Sequence, residues 1–329
     1  MILAGDIGGT STRLALFQIR DQVLRSAVER TYRSREHRGL REIVSIFVAE
    51  HRCVIEHASF GIAGPVINAR VKTPNLPWVV DARDLAEELG LEATGLLNDL
   101  EANAYGVAAL GEDDLAVLNE GALDATGNAA VISAGTGLGE AGLYWDGKRH
   151  RPFAAEGGHA DFAPRNETEI ELLSYLLRFH EHVSYERVLS GPGLQNIYAF
   201  LRDTGRATES PAIVEQMRSA DPAAVIAGAA LDGSCALAAQ ALELFVSVYG
   251  AAAGNLALKV MATGGVYIGG GIAPQILEKL QSPQFMDAFR AKGRLEPLCT
   301  AIPVRVILNP KTALLGAARY AALQASSLS

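Results

Sequence analysis

Short apolar runs that end in glycine or polar turns alternate along this chain with stretches of helical periodicity. Residues 2–7 are apolar, a glycine turn follows at 8–10, and residues 13–17 are largely apolar again. This order predicts two strands joined by a turn. Apolar side chains then recur at helical spacing over residues 39–50, which predicts a helix. The alternation of strands with helices is typical of an α/β protein.

The rest of the chain continues this alternation. Further strands are expected at 58–62, 66–71, 94–97, 131–134, 142–145, 266–268 and 304–308. Further helices are expected from the Asn98-Asp99 pair to 109, at 167–181, 186–202, 233–259 and 274–280, and from Lys311 onward.

The plan of strand, glycine turn and strand restarts in the middle of the chain. Residues 131–134, the turn at 135–139 and residues 142–145 repeat the plan of residues 3–17 at an offset of 128, which aligns Gly137 with Gly9. Few letters are identical. The repeat nevertheless predicts two copies of one α/β unit.

An acidic stretch at 111–114 interrupts the apolar pattern, and we place a domain boundary near residue 110. We expect a small α/β domain at 1–110 and a large α/β domain at 111–310. The last helix, 311–329, is expected to pack back on the small domain. The chain would then cross between the domains twice, which predicts a hinge.

Composition narrows the class of protein. The 329 residues are 49% hydrophobic and 20% charged, enough for two cores. A net charge of −8 without a long basic run argues against nucleic-acid or anionic-membrane partners. Cys53, Cys235 and Cys299 are too far apart for a zinc motif and are odd in number for a disulfide framework, so a reducing cytoplasm is expected. No signal peptide is expected, and the apolar region 236–268 is too polar for a membrane span and suits a buried helix.

Two glycine turns carry candidate phosphate-binding groups. At the first, Gly8 and Gly9 allow positive φ and a close approach of backbone N–H groups to an anion, and Thr10 adds a hydroxyl donor. Asp6 could hold magnesium directly or through water. The second turn, Gly135-Thr136-Gly137, has the same groups without the aspartate. Each turn alone is also compatible with an ordinary hairpin, but two equivalent turns could hold one polyphosphate from both sides.

The Asn98-Asp99 pair stands where a buried strand meets a helix. Either residue could simply cap that helix. The carboxyl end of a strand near a domain boundary is also where α/β proteins bind ligands. Asp99 could accept a hydroxyl proton while Asn98 binds neighbouring hydroxyl groups of a polyhydroxylated substrate.

Further polar groups lie in the second half of the chain. Glu156 and His159 flank a double-glycine turn, where hydrogen bonding to a sugar fits better than a zinc site that lacks cysteines. Glu186 alone would be a first-turn acid favoured by the helix dipole. The five glycines at 264–271 are more than close packing should require, and Gly270 and Gly271 could lie against a flat ring such as adenine.

Three shorter matches are rejected. The GxGxxG pattern at 137–142 precedes a strand, whereas a dinucleotide fingerprint opens a helix. The near P-loop at 142–148 is followed by Arg149 in place of Ser or Thr. His180-Glu181-His182 is expected to be solvated helix surface.

Together the motifs resemble those of the bacterial glucokinases, members of the hexokinase, heat-shock protein and actin superfold. The resemblance covers essentially the whole chain and rests on residues 5–10, 97–99, 135–139, 156–164, 186–194, 254–258 and 264–274. Two departures are Ser11, where the family often has asparagine, and a proline in residues 73–78 that many members lack.

The resemblance implies a two-domain actin-like ATPase (ribonuclease H-like) fold with a cleft between the domains. It implies transfer of the γ-phosphoryl group of ATP to the 6-hydroxyl of glucose, with Asp99 as the base and magnesium at Asp6. By motif, the glucose-binding residues would be Asn98, Asp99, Glu156, His159 and Glu186. The nucleotide would contact Asp6, Gly8, Gly9, Thr10, Gly135, Thr136, Gly137, Gly270 and Gly271.

Other functions stay open from the sequence. A kinase of the same fold could use another hexose or an amino sugar, and a non-catalytic sugar sensor could keep the pocket and bind a partner. A glycoside hydrolase using two of Asp99, Glu156 and Glu186 would leave the paired phosphate turns unexplained. Whether the protein forms a homodimer is also open.

Overall fold

The computed structural model describes residues 1–20 and 23–327. These residues form two compact units. The first comprises Met1–Asp113, Arg151–Ala154 and the chain from Asn309 onward. The second comprises Asp114–His150 and Ala155–Leu308.

A five-stranded sheet with the order β3-β2-β1-β4-β7 forms the centre of the first unit. Its strands and helices, in chain order, are β1 (Ile2–Ile7), β2 (Ser11–Arg20), β3 (Val23–Arg33), α1 (Leu40–His51), β4 (His57–Ile62), β5 (Arg70–Lys72), β6 (Val79–Asp81), α2 (Ala82–Leu89), β7 (Gly95–Asn98) and α3 (Asp99–Val107). β1 pairs antiparallel with β2 and parallel with β4, and β5 and β6 form a separate two-stranded sheet.

The second sheet has six strands in the order β11-β10-β9-β12-β13-β8. The elements that follow α3 are β8 (Leu115–Asn119), β9 (Ala129–Ala134), β10 (Leu138–Trp145), β11 (His150–Ala155), α4 (Glu167–Leu176), α5 (Gly191–Asp203), α6 (Pro211–Ser219), α7 (Pro222–Leu231), α8 (Ala236–Val260), β12 (Gly265–Gly269), α9 (Ile272–Gln275), α10 (Leu277–Leu280), α11 (Pro283–Arg290), α12 (Glu296–Ala301), β13 (Val304–Ile307) and α13 (Thr312–Ser327).

The two sheets share one topology. β9 pairs antiparallel with β10 and parallel with β12, as β1 does with β2 and β4. The predicted repeat is therefore present as a fold plan. Ile7 pairs with Thr12, whereas Ala134 pairs with Leu138, so the second turn is one residue shorter than the first. No fixed offset, including 128, aligns both strands of the two hairpins.

The last helix, α13, packs on the first sheet. Its buried Leu314, Ala317 and Ala318 contact Ala4 and Phe17 of β1 and β2. Small residues on both surfaces let the helix lie close to the sheet. The predicted helix 311–329 includes residues 328 and 329, which lie outside the described residues.

The helix α8 runs through the core of the second unit. Its length and apolar composition alone would let it cross a membrane, so the prediction that this region is too polar for a span is wrong. The prediction of a buried helix is confirmed, because Leu237, Ala241, Phe245 and Tyr249 are fully buried in the core. Burial within the unit accounts for the apolar sequence of α8.

Several predicted boundaries are wrong for local reasons. Instead of a strand at 66–71 the chain makes a turn, because Asn68 and Ala69 adopt left-handed φ values of 52° and 58°, and only Arg70–Lys72 is extended. The helix predicted at 167–181 ends at Leu176, and the helix predicted from 186 begins at Gly191, where the Ser190 side chain caps it. Residues 272–280 form two short helices rather than one.

Glycine determines how closely α11 approaches α8. A Cβ on Gly250 would collide with the backbone carbonyl of Phe285, whereas a Cβ on Gly228 in α7 would meet nothing within 4 Å. We expect Gly250→Ala to lower the free energy of unfolding by about 1–3 kcal/mol through overpacking. Gly228→Ala should raise it by up to about 1 kcal/mol through helix propensity. Urea denaturation of both variants checks this pair, and a destabilisation of equal size in both would contradict it.

Candidate active site

The first glycine turn is held closed by Ser34. The Gly8 N–H donates to the Ser11 carbonyl (2.9 Å), and the Gly8 carbonyl accepts from the Ser34 hydroxyl (2.8 Å). The Thr10 carbonyl accepts from the Ser34 N–H (3.0 Å). The N–H groups of Gly9 and Thr10 have no protein partner within residues 1–20 and 23–327. The N–H groups of Gly9 and Thr10 are therefore more available to a ligand than the Gly8 N–H, which is hydrogen-bonded within the turn.

None of the glycines in the two candidate phosphate turns has a positive φ. The expectation that glycine is needed there to allow positive φ is therefore wrong. Close approach explains two of them instead. A Cβ on Gly9 would lie 2.8 Å from the Asn75 Cβ, and a Cβ on Gly137 would lie 2.5 Å from Glu186 Oε2. Both distances are shorter than real Cβ contacts, so a side chain at either position would displace its neighbour.

The second turn holds the carboxylate of Glu186. The Leu138 N–H donates to Glu186 Oε2 (2.9 Å) at the end of the turn. The turn itself is closed by the Gly135 N–H, which donates to the Gly137 carbonyl (2.8 Å). The Gly135 carbonyl in turn accepts from the Gly191 N–H (2.8 Å). Glu186 is thus held against the second turn rather than serving only as a first-turn acid.

Asn98 caps helix α3, which confirms one of the two roles predicted for it. Its Oδ1 accepts from the N–H groups of Leu100 (2.8 Å) and Glu101 (3.4 Å), and its Nδ2 donates to the Gly64 carbonyl (3.1 Å). One N–H of the buried amide remains for a ligand. Asp99 is the first residue of α3, is half-buried, and accepts the Leu100 N–H at its own Oδ1 (3.0 Å).

Asp6 interacts electrostatically with Asp99 in the same unit. Burial raises the pKa of Asp6 from 3.8 to about 6; the Arg13 guanidinium lowers this pKa, and the Asp99 carboxylate raises it. The half-buried Asp6 carboxylate is a suitable oxygen ligand for a divalent cation. No group of three or more metal-ligating side chains occurs in the described part of the chain.

Arg13 was not singled out from the sequence. It lies opposite Asp6 in the β1–β2 ladder and donates to the Pro310 carbonyl (2.7 Å), just before α13. The available sequence signal was an arginine directly before the apolar residues 14–17. Arg13 thus joins the first turn to the start of the last helix.

The turn between Glu156 and His159 presents two exposed side chains. Neither has a protein partner among the residues that the structure describes. A Cβ on Gly158 would collide with the Leu138 carbonyl, and one on Gly157 would collide with the buried carboxylate of Glu140. The double glycine is therefore required for this turn to pack on β10.

Short backbone contacts join the turns that carry His159 and Glu186. The Tyr185 N–H donates to the Ala160 carbonyl (2.9 Å), and the Phe162 N–H donates to the Val183 carbonyl (2.9 Å). Three predicted sugar-binding residues of the second unit, Glu156, His159 and Glu186, thus lie on two turns that are bonded to each other.

The prediction that His180-Glu181-His182 is solvated helix surface is confirmed in part. His182 lies beyond α4 and pairs with Asp161 (2.9 Å between Nε2 and Oδ1), and both side chains are exposed. Residues 180–182 are surface, as expected, but they are not helical.

Close packing explains most of the glycines at 264–271, contrary to expectation. A Cβ on Gly264 would lie 2.5 Å from the Gly127 carbonyl, Gly265 and Gly270 have φ values of 133° and 83°, and a Cβ on Gly269 would collide with the Ser133 hydroxyl. Only Gly271 has open space at its Cβ position. Gly271 is therefore the glycine of this set that neither packing nor a positive φ explains.

Comparison with known proteins places this geometry in a family. The glucokinase family model matches residues 3–324. The chain belongs to the glucokinase family. Glucokinases of Nostoc punctiforme and Synechocystis sp. are 45% and 42% identical to it. The alignments cover 98% and 97% of this chain and 99% and 97% of those proteins.

Solved structures agree on the fold. A glucokinase from an Antarctic psychrotroph superposes with a TM-score of 0.85 at 29% identity, over 98% of each chain. A ROK family glucokinase from Streptomyces griseus, solved with glucose and AMPPNP, has a TM-score of 0.65 at 20% identity over 98% of this chain and 99% of that one, which supports the fold alone. The glucokinase family consists of sugar kinases, so this chain is an enzyme with the actin-like ATPase fold.

The raised pKa of Asp6 makes stability depend on pH. The folded protein holds this proton more tightly than the unfolded chain, so the buried charge costs stability as pH rises from about 4 through 6. In magnesium-free buffer, Asp6→Asn should be more stable than wild type by about 1–3 kcal/mol at pH 8, and the gain should largely vanish at pH 4. Denaturation at both pH values measures this difference. A gain of equal size at both would contradict the assignment.

Proposed function

We propose that this enzyme transfers the γ-phosphoryl group of ATP to the 6-hydroxyl of glucose, with Asp99 as the general base. The observation that carries the proposal is the register of the first sheet, in which β1, β4 and β7 are parallel and Ile7, Ile62 and Asn98 are aligned, so Asp6 and Asp99 lie at the same end of the sheet. A proton acceptor and a candidate magnesium ligand thus occupy one end of the first sheet. The glucokinases among its relatives support glucose as the acceptor.

The reaction does not require a strong base at Asp99. Phosphoryl transfer has a loose transition state, so positioning and charge neutralisation dominate. Asp99 accepts the hydroxyl proton as the bond to phosphorus forms, and the Asn98 cap keeps the carboxylate at the start of α3. A carboxylate of ordinary acidity suffices for this role.

Phosphate binding rests on backbone groups. We assign the N–H groups of Gly9 and Thr10 in the first unit, and of Thr136 and Gly137 in the second, to the phosphate oxygens. Gly8 and Gly135 shape the two turns. Magnesium, held by Asp6 directly or through water, would neutralise phosphate charge. This arrangement lets a protein of net charge −8 bind a polyanion without a lysine patch.

Sugar and adenosine recognition use the remaining candidates. The free N–H of the Asn98 amide and the side chains of Glu156, His159 and Glu186 would bind glucose hydroxyls. Of the glycines proposed for adenosine, Gly271 would lie against the ring, and Gly270 would hold the strand end that positions it.

The three cysteines are free thiols, which supports a location in the reducing cytoplasm.

Removal of the Asp99 charge tests the base directly. Asp99→Asn should keep glucose binding and lower kcat by about 10²–10⁴-fold, the usual contribution of general acid–base catalysis. Glu101→Gln, in the same first turn of α3, controls for the loss of a helix-terminal charge and should stay within about threefold of wild type. Steady-state kinetics and glucose calorimetry measure both variants. Near-normal turnover in Asp99→Asn would remove Asp99 from this role.

A sugar panel tests the acceptor. ADP release with magnesium and ATP is measured on glucose, mannose, fructose, glucosamine and N-acetylmannosamine. We expect the highest kcat/KM on glucose. A higher value on another sugar would reassign the acceptor, and no ADP release with any sugar would refute the enzyme and favour a sugar sensor.

A further inference from the structure

We infer that Lys292 and Asn255 are positioning residues that hold the turn bearing Glu186 in its glucose-binding conformation. This inference rests on the proposed role of Glu186. Neither residue belongs to the two glycine turns, to the Asn98-Asp99 pair or to the Glu156–His159 turn.

A chain of hydrogen bonds runs from Lys292 to that turn. Lys292 Nζ donates to Asn255 Oδ1 (2.7 Å) and to the Ala251 carbonyl (3.0 Å). Asn255 Nδ2 donates to the hydroxyl of Tyr185 (2.9 Å). Tyr185 is the residue immediately before Glu186. The chain therefore links the segment after α11, through α8, to the turn.

Lys292 determines which way the Asn255 amide points. An ammonium group can only donate hydrogen bonds, so the amide must present its oxygen to Lys292 and its nitrogen to Tyr185. The Tyr185 hydroxyl then accepts a hydrogen bond. Without the ammonium the amide could rotate by 180° and reverse both partners. Lys292 thereby fixes the hydrogen-bonding role of a tyrosine that it does not touch.

The fold makes room for this lysine at a cost. A Cβ on Gly254 would collide with the Phe289 carbonyl and would lie 2.7 Å from the Lys292 Cε, so α8 lacks a side chain where α11 and the lysine stem pass. Burial, with Arg165 nearby, lowers the pKa of Lys292 to about 8. A partly buried ammonium group needs hydrogen-bond acceptors in place of the water that it loses. The Asn255 side chain and the Ala251 carbonyl are these acceptors.

Tyr185 transmits this order to the sugar-binding turns. It is 5% exposed, its N–H bonds the Ala160 carbonyl beside His159, and its ring packs edge-on against Phe162 (5.7 Å between centroids). On the other side, the Glu186 carboxylate is bound to the Leu138 N–H. The turn is thus held by the Tyr185 hydroxyl, by the Tyr185 N–H and by the Glu186 carboxylate, and loss of the hydroxyl removes the tie to Asn255.

Three variants test the inference: Tyr185→Phe, Lys292→Met and the double variant. Each single variant should raise the KM for glucose by about 3- to 30-fold, the range expected when one positioning hydrogen bond is lost. The KM for ATP should change less than about twofold. Because Lys292 acts on the Tyr185 hydroxyl only through Asn255, the double variant should be no worse than the weaker-binding single variant. Tyr175→Phe is the matched control, since its hydroxyl bonds Asp203 (2.6 Å) in the same unit, away from this chain.

Each outcome is decisive. An unchanged KM for glucose in folded Tyr185→Phe and Lys292→Met overturns the inference, as does an equal rise in both KM values or in the Tyr175→Phe control. A merely structural role would lower the melting temperature without this split between substrates. If wild type turns glucose over and the variants match it, only the inference fails. If wild type does not turn glucose over, the proposed function fails with it.

Discussion

The side-chain amide of Asn98 is the interaction on which the catalytic end of the first unit depends. It caps α3 through two backbone N–H groups and holds the Gly64 carbonyl with its nitrogen. Because the cap ends β7 and begins the helix at the next residue, Asp99 stands at the first helical position. A residue without this amide would lose both the helix start and the tether to Gly64. The structural role and the functional role of the Asn98-Asp99 pair are therefore one arrangement rather than alternatives.

In the second unit, a carboxylate rather than an amide binds a backbone N–H group beside the candidate site. Glu186 accepts the Leu138 N–H at the end of the second glycine turn, and Gly137 leaves room for that carboxylate. In each unit a polar side chain accepts backbone N–H groups beside the candidate site: Asn98 does so where α3 begins, and Glu186 does so where β10 begins. The N–H groups of Gly9 and Thr10, which have no partner in the described residues, could donate to a nucleotide even though the protein is acidic.

The apolar pattern of the sequence predicted most of the buried strands, but neither the strand order nor the exposed strand β3. Apolar runs predicted β1, β4 and β9, because these central strands are buried. β3 was missed because its exposed residues are rich in arginine and glutamate. The cap at Asn98 was predictable from local chemistry. Arg13 and Lys292 were not, since their partners, Pro310 and Asn255, are set by tertiary packing. The number of glycines was also misleading, because close packing or a positive φ explains four of the five at 264–271.

The proposed reaction transfers the phosphoryl group to the 6-hydroxyl of glucose. Phosphorus NMR of the product that the wild-type enzyme forms from ATP, magnesium and glucose identifies the hydroxyl that is phosphorylated. We expect one phosphomonoester whose phosphorus couples to the two protons on C6 of the sugar. Coupling to a proton on another carbon, or inorganic phosphate as the only new species besides ADP, would contradict it.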